Sequence, residues 1–295
     1  MKIAIHNGRF HADEAFALAA LKMIFKPIEY IRTRDESILL SCDLRVDVGR
    51  LNNPKTGDFD HHQSGGAGSR PNGVPYASFG LVWKYYGQKI CESDELSELV
   101  DKTLVQIIDA DDNGQNLFSS KIPDVLPFTV DKIVDLMMPS WKLNPTDDEV
   151  NIKFEQALDF ASETLNLVIK NLQDKLDAKD IVQSAIKSAK DHRLIIFERH
   201  VPWQSEIIEN APEALFIVQP AWPKHGDWVV STINKGLNTF ENRKDLPASW
   251  AGKNDQELVD ITKVADAKFC HPALFMAVAS SKVGALNLAK LALEQ

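Results

Sequence analysis

The chain has 295 residues, 44% hydrophobic and 25% charged, which fits an ordinary globular chain long enough for one large or two medium domains. Forty-two acidic against 33 basic side chains give a formal charge of −9, which excludes a generally cationic nucleic-acid coat but leaves room for a local groove or a bound divalent ion to reverse the field. Cys42, Cys91 and Cys270 are too few and too scattered for a disulfide framework or a CxxC zinc site; with no apolar run of about 18 residues and no secretory leader in Met1-Lys2-Ile3-Ala4-Ile5, the expected address is cytoplasmic, with no membrane contact.

In chain order, Lys2–Ile5, Ile28–Thr33 and Leu44–Val48 are short apolar runs that predict strands. Between the first two, Ala17, Leu18, Leu21, Ile24 and Phe25 recur at helical spacing across Asp13–Phe25. Strand, helix, strand implies parallel pairing, and ligands of such sheets bind outside the carboxyl ends of the strands, where His6 and Asp47 fall. Residues 64–75 (SGGAGSRPNGVP) read as a loop. Helices are predicted over Tyr76–Tyr86, Asp94–Asp109 and Phe118–Met138, and then over Asp147–Lys190, which contains neither Gly nor Pro and carries an apolar stripe through Leu158, Ala161, Leu165, Val168, Leu172 and Leu176. Beyond Lys190 the texture changes to strands over Leu194–Phe197, Ala214–Val218, Trp228–Ile233 and Lys268–Cys270, with helices over Asp255–Lys263 and Lys282–Leu293. The expected fold is therefore α/β: an N-terminal parallel-sheet domain with its helical segment over 1–190 and a smaller α/β domain over 191–295, with a site in the cleft between them.

Histidine is the informative residue type. Four of the eight (His6, His11, His61, His62) lie in the first 62 positions, each flanked by acids: HNGRFHADE, then VDVG around Asp47, then DFDHHQ, followed by IDADDNG at 108–114. A single Asp at the start of a helix is usually a dipole-compensating residue, and Asp-His-His alone is a weak match. Several carboxylates with neutral imidazoles at strand ends, and no thiolates near them, suit divalent cations such as Mn²⁺, Mg²⁺ or Co²⁺. Two such ions can share a carboxylate, activate water and neutralise charge on phosphoryl oxygens, so the pattern points to metal-assisted hydrolysis of a phosphate ester. HExxH, Walker A and GxSxG motifs are absent from the sequence.

The ordered motifs HNGRFHADEA, VDVG, DHHQ and IDADDNG resemble the melanocyte-proliferating-gene (MYG-type) exonuclease family, a branch of the DHH phosphoesterases. Pro202-Trp203, Trp228, LPASW (246–250) and Phe269-Cys270-His271 extend the likeness over nearly the whole chain. The resemblance implies two divalent cations, Mn²⁺ favoured and Mg²⁺ possible, held by His6, His11, Asp13, Asp47 as the bridging carboxylate, His61 and Asp109. Asp112 competes with Asp109 for the last place. A His at position 11 departs from the aspartate common in DHH proteins, and Glu14 is either a neighbour of the ligands or a helix-start acid. His62 is expected to contact substrate or the leaving group, so that His62 and Asp47 form the catalytic pair.

The implied activity is 3′–5′ exonucleolytic hydrolysis of RNA or a short oligonucleotide. The family's glycine-rich stretch after the Cys-His pair is here His271 to Lys282 with Ala277-Val278 in place of the glycines, which leaves His271 and Lys282 as candidate substrate contacts. That departure, with the acidic charge, motivates two alternatives: a hydrolase of pyrophosphate or a nucleotide derivative, and a metal-binding interaction protein without turnover.

Overall fold

A computed structural model of the chain describes residues 1–223 and 226–295, and they divide into two compact units, Met1–Gln173 and Asp174–Gln295. The division falls inside the long helix, whose last turns are packed into the core of the second unit.

The first unit carries a five-stranded sheet of β1 (Lys2–Ile5), β2 (Glu29–Arg32), β3 (Leu44–Val46), β4 (Asn52–Asn53) and β5 (Asp58–Phe59), in the order β2-β1-β3-β5-β4. β1 pairs parallel with β2 and with β3, β3 pairs parallel with β5, and only the edge strand β4 is antiparallel. Ile3, Ala4 and Ile5 are fully buried, as expected of a central parallel strand covered on both faces. The chain leaves β1 for β2 on one side through α1 (Ala12–Ile24), then returns through α2 (Glu36–Leu40) to β3 on the other side. The order of strands thus reverses about β1, and the carboxyl ends of β1 and β3 frame the crevice where such sheets bind ligands. His6 follows β1 and Asp47 follows β3.

The predicted strand Leu44–Val48 stops at Val46 because the chain turns sharply. Asp47, Gly49 and Arg50 all have positive φ, at 56°, 100° and 56°. α3 (Ser78–Cys91) packs against α1. The helix predicted over Asp94–Asp109 is α4 (Asp94–Val100), a π-helical turn over Asp101–Val105, and α5 (Gln106–Asp112). Of the helix predicted over Phe118–Met138, only α6 (Val130–Met137) is present. Pro123 and Pro127 remove backbone donors and push the residues before them out of the helical region, so the segment ahead of α6 is irregular. α7 (Asp147–Ser188) is the long helix, with Leu158, Ala161, Leu165 and Leu172 buried as the stripe requires.

The second unit is built on β6 (Leu194–Ile196), α8 (Gln204–Asn210), β7 (Phe216–Pro220), β8 (Trp228–Thr232), α9 (Asp255–Thr262), β9 (Ala267–Cys270), β10 (Met276–Ala279) and α10 (Lys282–Glu294). Its sheet order is β6-β7-β8-β10-β9, and only β6–β7 is parallel. Alternation along β7 serves two cores: Phe216 and Val218 face one cluster with Val230, Trp250 and Leu288, while Ile217 faces another with Ile195, Phe197, Trp203 and α7 residues Ala178 and Val182. Ala277 and Val278 belong to β10, opposite Val230 and Val229 on one side and Cys270 and Phe269 on the other, and neither has a positive φ. The reading of these two residues as an altered phosphate-binding loop is therefore corrected. The segment is a paired strand that favours side chains over glycine, and the positive φ of the turn falls at Leu274 (60°).

Candidate metal centre

The centre is assembled on the amino end of α3. Ala77, the residue at its N-cap, offers no side-chain acceptor, so the exposed amides of the first turn are satisfied by carboxylates from elsewhere. Asp13, fully buried in the first turn of α1, accepts from the Ser78 amide through Oδ2 (3.0 Å) and from the Phe79 amide through Oδ1 (2.6 Å). Asp109, fully buried on α5, accepts from the Gly80 amide at 2.9 Å. The Ser78 hydroxyl donates to Asp47 Oδ1 at 3.2 Å. One helix terminus thus gathers three buried carboxylates, with its dipole favouring their charge.

Asp47 stands in the middle. Its Oδ2 lies 3.2 Å from His6 Nε2, and its Oδ1 lies 3.4 Å from His61 Nε2 and 3.3 Å from His62 Nδ1. His6 Nε2 is also 3.0 Å from Glu14 Oε1, and His61 Nε2 is 3.0 Å from Asp112 Oδ2. Three groups of donor atoms result: His6, His11, Glu14 and Asp47; Asp47, His61 and His62; and Asp13, His61 and Asp112. Glu14 holds its place through a capping box, in which its carboxylate accepts from the His11 amide at the start of α1.

Electrostatics follow from burial and pairing. Burial disfavours a charged His6, yet Asp47 and Glu14 outweigh it and raise its pKa to about 10. His61 is likewise opposed by burial but carried to about 11 by Asp112 and Asp47. Burial opposes ionisation of Asp47, but the close imidazoles of His6, His61 and His62 keep it well below the usual carboxylate range. Asp13 is pushed up by burial and then by the neighbouring charges of Asp112 and Asp47. Here imidazolium protons do what a cation would do: they hold several buried carboxylates together.

The donor set fits divalent cations. The buried His61 Nε2 has no hydrogen bond of acceptable geometry, although Asp112 and Asp47 oxygens lie close to it. A buried nitrogen without a hydrogen bond, grouped with the oxygens of Asp13, Asp112 and Asp47, is what a cation ligand would look like before the ion binds. Nitrogen and oxygen donors, without sulfur, match Mn²⁺, Mg²⁺ and related ions.

Of the residues singled out in the sequence, His6, His11, Asp13, Asp47, His61 and His62 converge. Asp109 does not join a donor group, because Arg70 Nη1 occupies its Oδ2 at 2.7 Å and the Gly80 amide its Oδ1. Its rival Asp112, three residues on, faces His61. Glu14, left open between a neighbour of the ligands and a helix-start acid, stands among the donor atoms. Arg70 and Ser78 went unrecognised, since an Arg in a Gly-rich loop and a Ser at a helix start carry no distinguishing pattern. His271 follows β9 in the second unit, its ring packed on Phe275 at 4.2 Å and its Nδ1 accepting from the Ala273 amide at 3.0 Å. Lys282 opens α10 there, paired with Glu198 and 5.5 Å from the Trp228 ring.

Fold and centre together define an α/β protein with a histidine–carboxylate cluster of metal-binding composition at a sheet switch point. A family model, MYG1_exonuc, described as an uncharacterised protein family (UPF0160), matches residues 2–293. The chain belongs to this family. It is similar to MYG1 protein C694.04c of Schizosaccharomyces pombe (29% identical, covering 100% of this chain and 98% of the relative), to MYG1 protein of Dictyostelium discoideum (29%, 100% and 97%) and to MYG1 exonuclease of Homo sapiens (28%, 100% and 86%).

Proposed function

We propose that the chain is a metal-dependent phosphodiester hydrolase of the DHH type, acting as a 3′–5′ exonuclease on RNA or short oligonucleotides in the cytoplasm. Relatives from human and rat are named exonucleases, and the three buried, unpaired cysteines fit a reducing compartment. His6, His11, Glu14 and Asp47 would hold one divalent cation, and Asp13, Asp47, His61 and Asp112 a second, Mn²⁺ ahead of Mg²⁺ because imidazoles suit the softer ion. When bound, the cations lower the pKa of water and neutralise charge on phosphoryl oxygens.

The protein's own groups do the rest. His62 is 56% exposed, with Nδ1 held by Asp60 Oδ1 at 2.8 Å and its amide on the same oxygen at 3.0 Å. With Nδ1 engaged, Nε2 of this exposed ring would be the nitrogen that presents a proton to a departing oxygen. Pairing with Asp47, against some burial and with help from Asp60, raises its pKa, which favours the protonated imidazole. Burial of His6 and Asp47 strengthens the pairing between them.

The observation that carries this reading is the double membership of Asp47, whose two oxygens serve imidazoles of two different donor groups. Metal analysis of purified protein, with hydrolysis assays on RNA, single-stranded DNA and pyrophosphate, tests it. Mn²⁺-dependent release of mononucleotides from RNA, abolished in Asp47→Ala, is expected. Undiminished turnover in that variant, or preference for pyrophosphate, would overturn it.

A further inference from the structure

We propose that a groove leading away from Asp47 and His62 binds the sugar–phosphate backbone of a single strand, with Arg34 and Arg50 as its phosphate contacts. The inference rests on the hydrolase reading above and deepens it by naming what the substrate must carry: at least one phosphate besides the one at the centre.

Two cavities meet at the centre. One, of about 280 Å³, is lined by His6, His11, Asp13, Asp47 and Asp112 among others. The second, of about 900 Å³, shares Asp47, His62 and Arg34 with it and extends past Arg50, Leu40 and Leu51. The second volume is at the upper end of ligand pockets, which run roughly 300–1,000 Å³, while the first is below that range. A compound with a single phosphoryl group fills the first cavity and leaves the second unused.

The arginines of the larger cavity differ in what they are doing. Arg45 is committed: it pairs with Asp58 and donates to the carbonyls of Cys42 and Thr56. Elsewhere Arg9, Arg70 and Arg193 are each paired with a carboxylate. Among the described residues the side chains of Arg34 and Arg50 have no ion pair and no hydrogen bond, and both are exposed. In a chain of charge −9, two unpaired guanidinium groups beside one catalytic histidine are a local reversal of sign. Of the acids lining this cavity, Asp47 is held by imidazoles, Asp58 by Arg45 and Asp60 by His62 and the Arg50 amide, which leaves Glu36; Arg34 also borders the smaller cavity and its carboxylates, whereas Arg50 lines the larger one. Planar guanidinium forks are the side chains best matched to phosphate oxygens.

Backbone geometry supports the assignment at Arg50. A non-glycine residue at φ 56° is costly and needs support from its surroundings. Here the support is Asp60, whose Oδ2 accepts from the Arg50 amide at 2.6 Å while its Oδ1 holds His62. One buried carboxylate thereby sets both the histidine at the centre and the arginine in the groove. Leu40 and Leu51, 84% and 48% exposed, give the groove apolar surface on which bases or sugars can rest.

The test uses Arg34→Gln and Arg50→Gln in the full chain loaded with Mn²⁺. Each is assayed on a five-nucleotide RNA and on bis(p-nitrophenyl) phosphate, which has no second phosphate. Each variant is expected to lose about tenfold or more in kcat/KM on the RNA, and less than about threefold on the small diester. Binding of a phosphorothioate strand of the same length, followed by fluorescence anisotropy across a salt series, is expected to show a log–log slope shallower by about 0.7 for each substitution. Arg→Lys at the same positions is expected to restore the slope. Equal losses on both substrates, or an unchanged salt slope, would overturn the proposal. Failure of the wild-type protein to hydrolyse either substrate would defeat the hydrolase reading, and the salt series would still decide the groove.

Discussion

Arg70 Nη1 lies 2.7 Å from Asp109 Oδ2, and both side chains are buried. The remaining nitrogens of Arg70 reach Asp101, at 2.6 and 3.0 Å. Asp109 is pushed up to about 7 by burial, with Arg70 pulling the other way. This aspartate is therefore a structural counterion for α3 and Arg70, while Asp112 looks into the centre. Asp109→Asn is expected to destabilise the fold by an amount toward the lower end of the roughly 3–5 kcal/mol seen when a buried pair is broken, since Asp101 still serves Arg70. Asp112→Asn is expected to leave the melting temperature of the metal-free protein within a few degrees while weakening Mn²⁺ binding at least tenfold. Thermal melts with calorimetric metal titrations of both variants check this; the reverse pattern would restore Asp109 as the ligand.

Gly80 sits where the same network is tightest. A Cβ there would come 1.8 Å from Asp109 Oδ2, which is fixed by Arg70, while the Gly80 amide holds the other oxygen, Oδ1. Gly80→Ala is expected to cost at least about 2–3 kcal/mol of stability, as overpacking does in a site that cannot relax. The variant's melting temperature is the readout, with Gly73→Ala, where no atom lies within 4 Å but φ is +87°, expected to cost less.

The raised pKa values of His6 (about 10) and His61 (about 11) make the metal-free protein pH-sensitive in a defined direction. In the unfolded chain both histidines titrate near 6.5, so between that pH and about 10 the folded state binds more protons than the unfolded. Their stabilising contribution is complete below about pH 6.5 and disappears as pH rises through about 10–11. The melting temperature of chelator-treated protein is therefore expected to fall between pH 7 and 10 and to recover on adding Mn²⁺, which takes over the imidazoles once their protons leave. Metal binding at pH 7.5 is expected to release protons from both histidines, detectable by calorimetry in buffers of different ionisation enthalpy. A flat melting profile, or no proton release, would contradict the pairing described.

His62 differs from His61 in exposure and in partner. His62→Gln is expected to lower kcat on a phosphodiester by about 10²-fold or more, the usual yield of a positioned proton donor, with Mn²⁺ content near that of the wild type. His61→Gln is expected to lose metal as well. Elemental analysis beside steady-state kinetics separates the two.

Much of this centre was legible in the sequence, because histidines flanked by acids at strand ends are chemically unusual and the parallel order of β1 and β3 brings their carboxyl ends together. Choosing between Asp109 and Asp112 was not possible from spacing, since the deciding partner, Arg70, comes from a loop 39 residues away. β4 and β5 are two residues each, too short for alternation to show. β10 was hidden for a different reason: Met276-Ala277-Val278-Ala279 is apolar throughout, and its neighbours Val229 and Val230 on β8 are distant in sequence. Pro123 and Pro127 break the helical pattern over 118–138, so that only the shorter α6 forms.

Asp47 joins the two donor groups, so counting ions with and without it is the most direct measurement. Calorimetric titration of chelator-treated protein with Mn²⁺ is expected to find two ions per chain, and Asp47→Ala, kept folded by the remaining core, is expected to lose tight binding at both positions. Two ions bound with unaltered affinity in Asp47→Ala, or a single ion in the wild type, would contradict a shared carboxylate between paired cations.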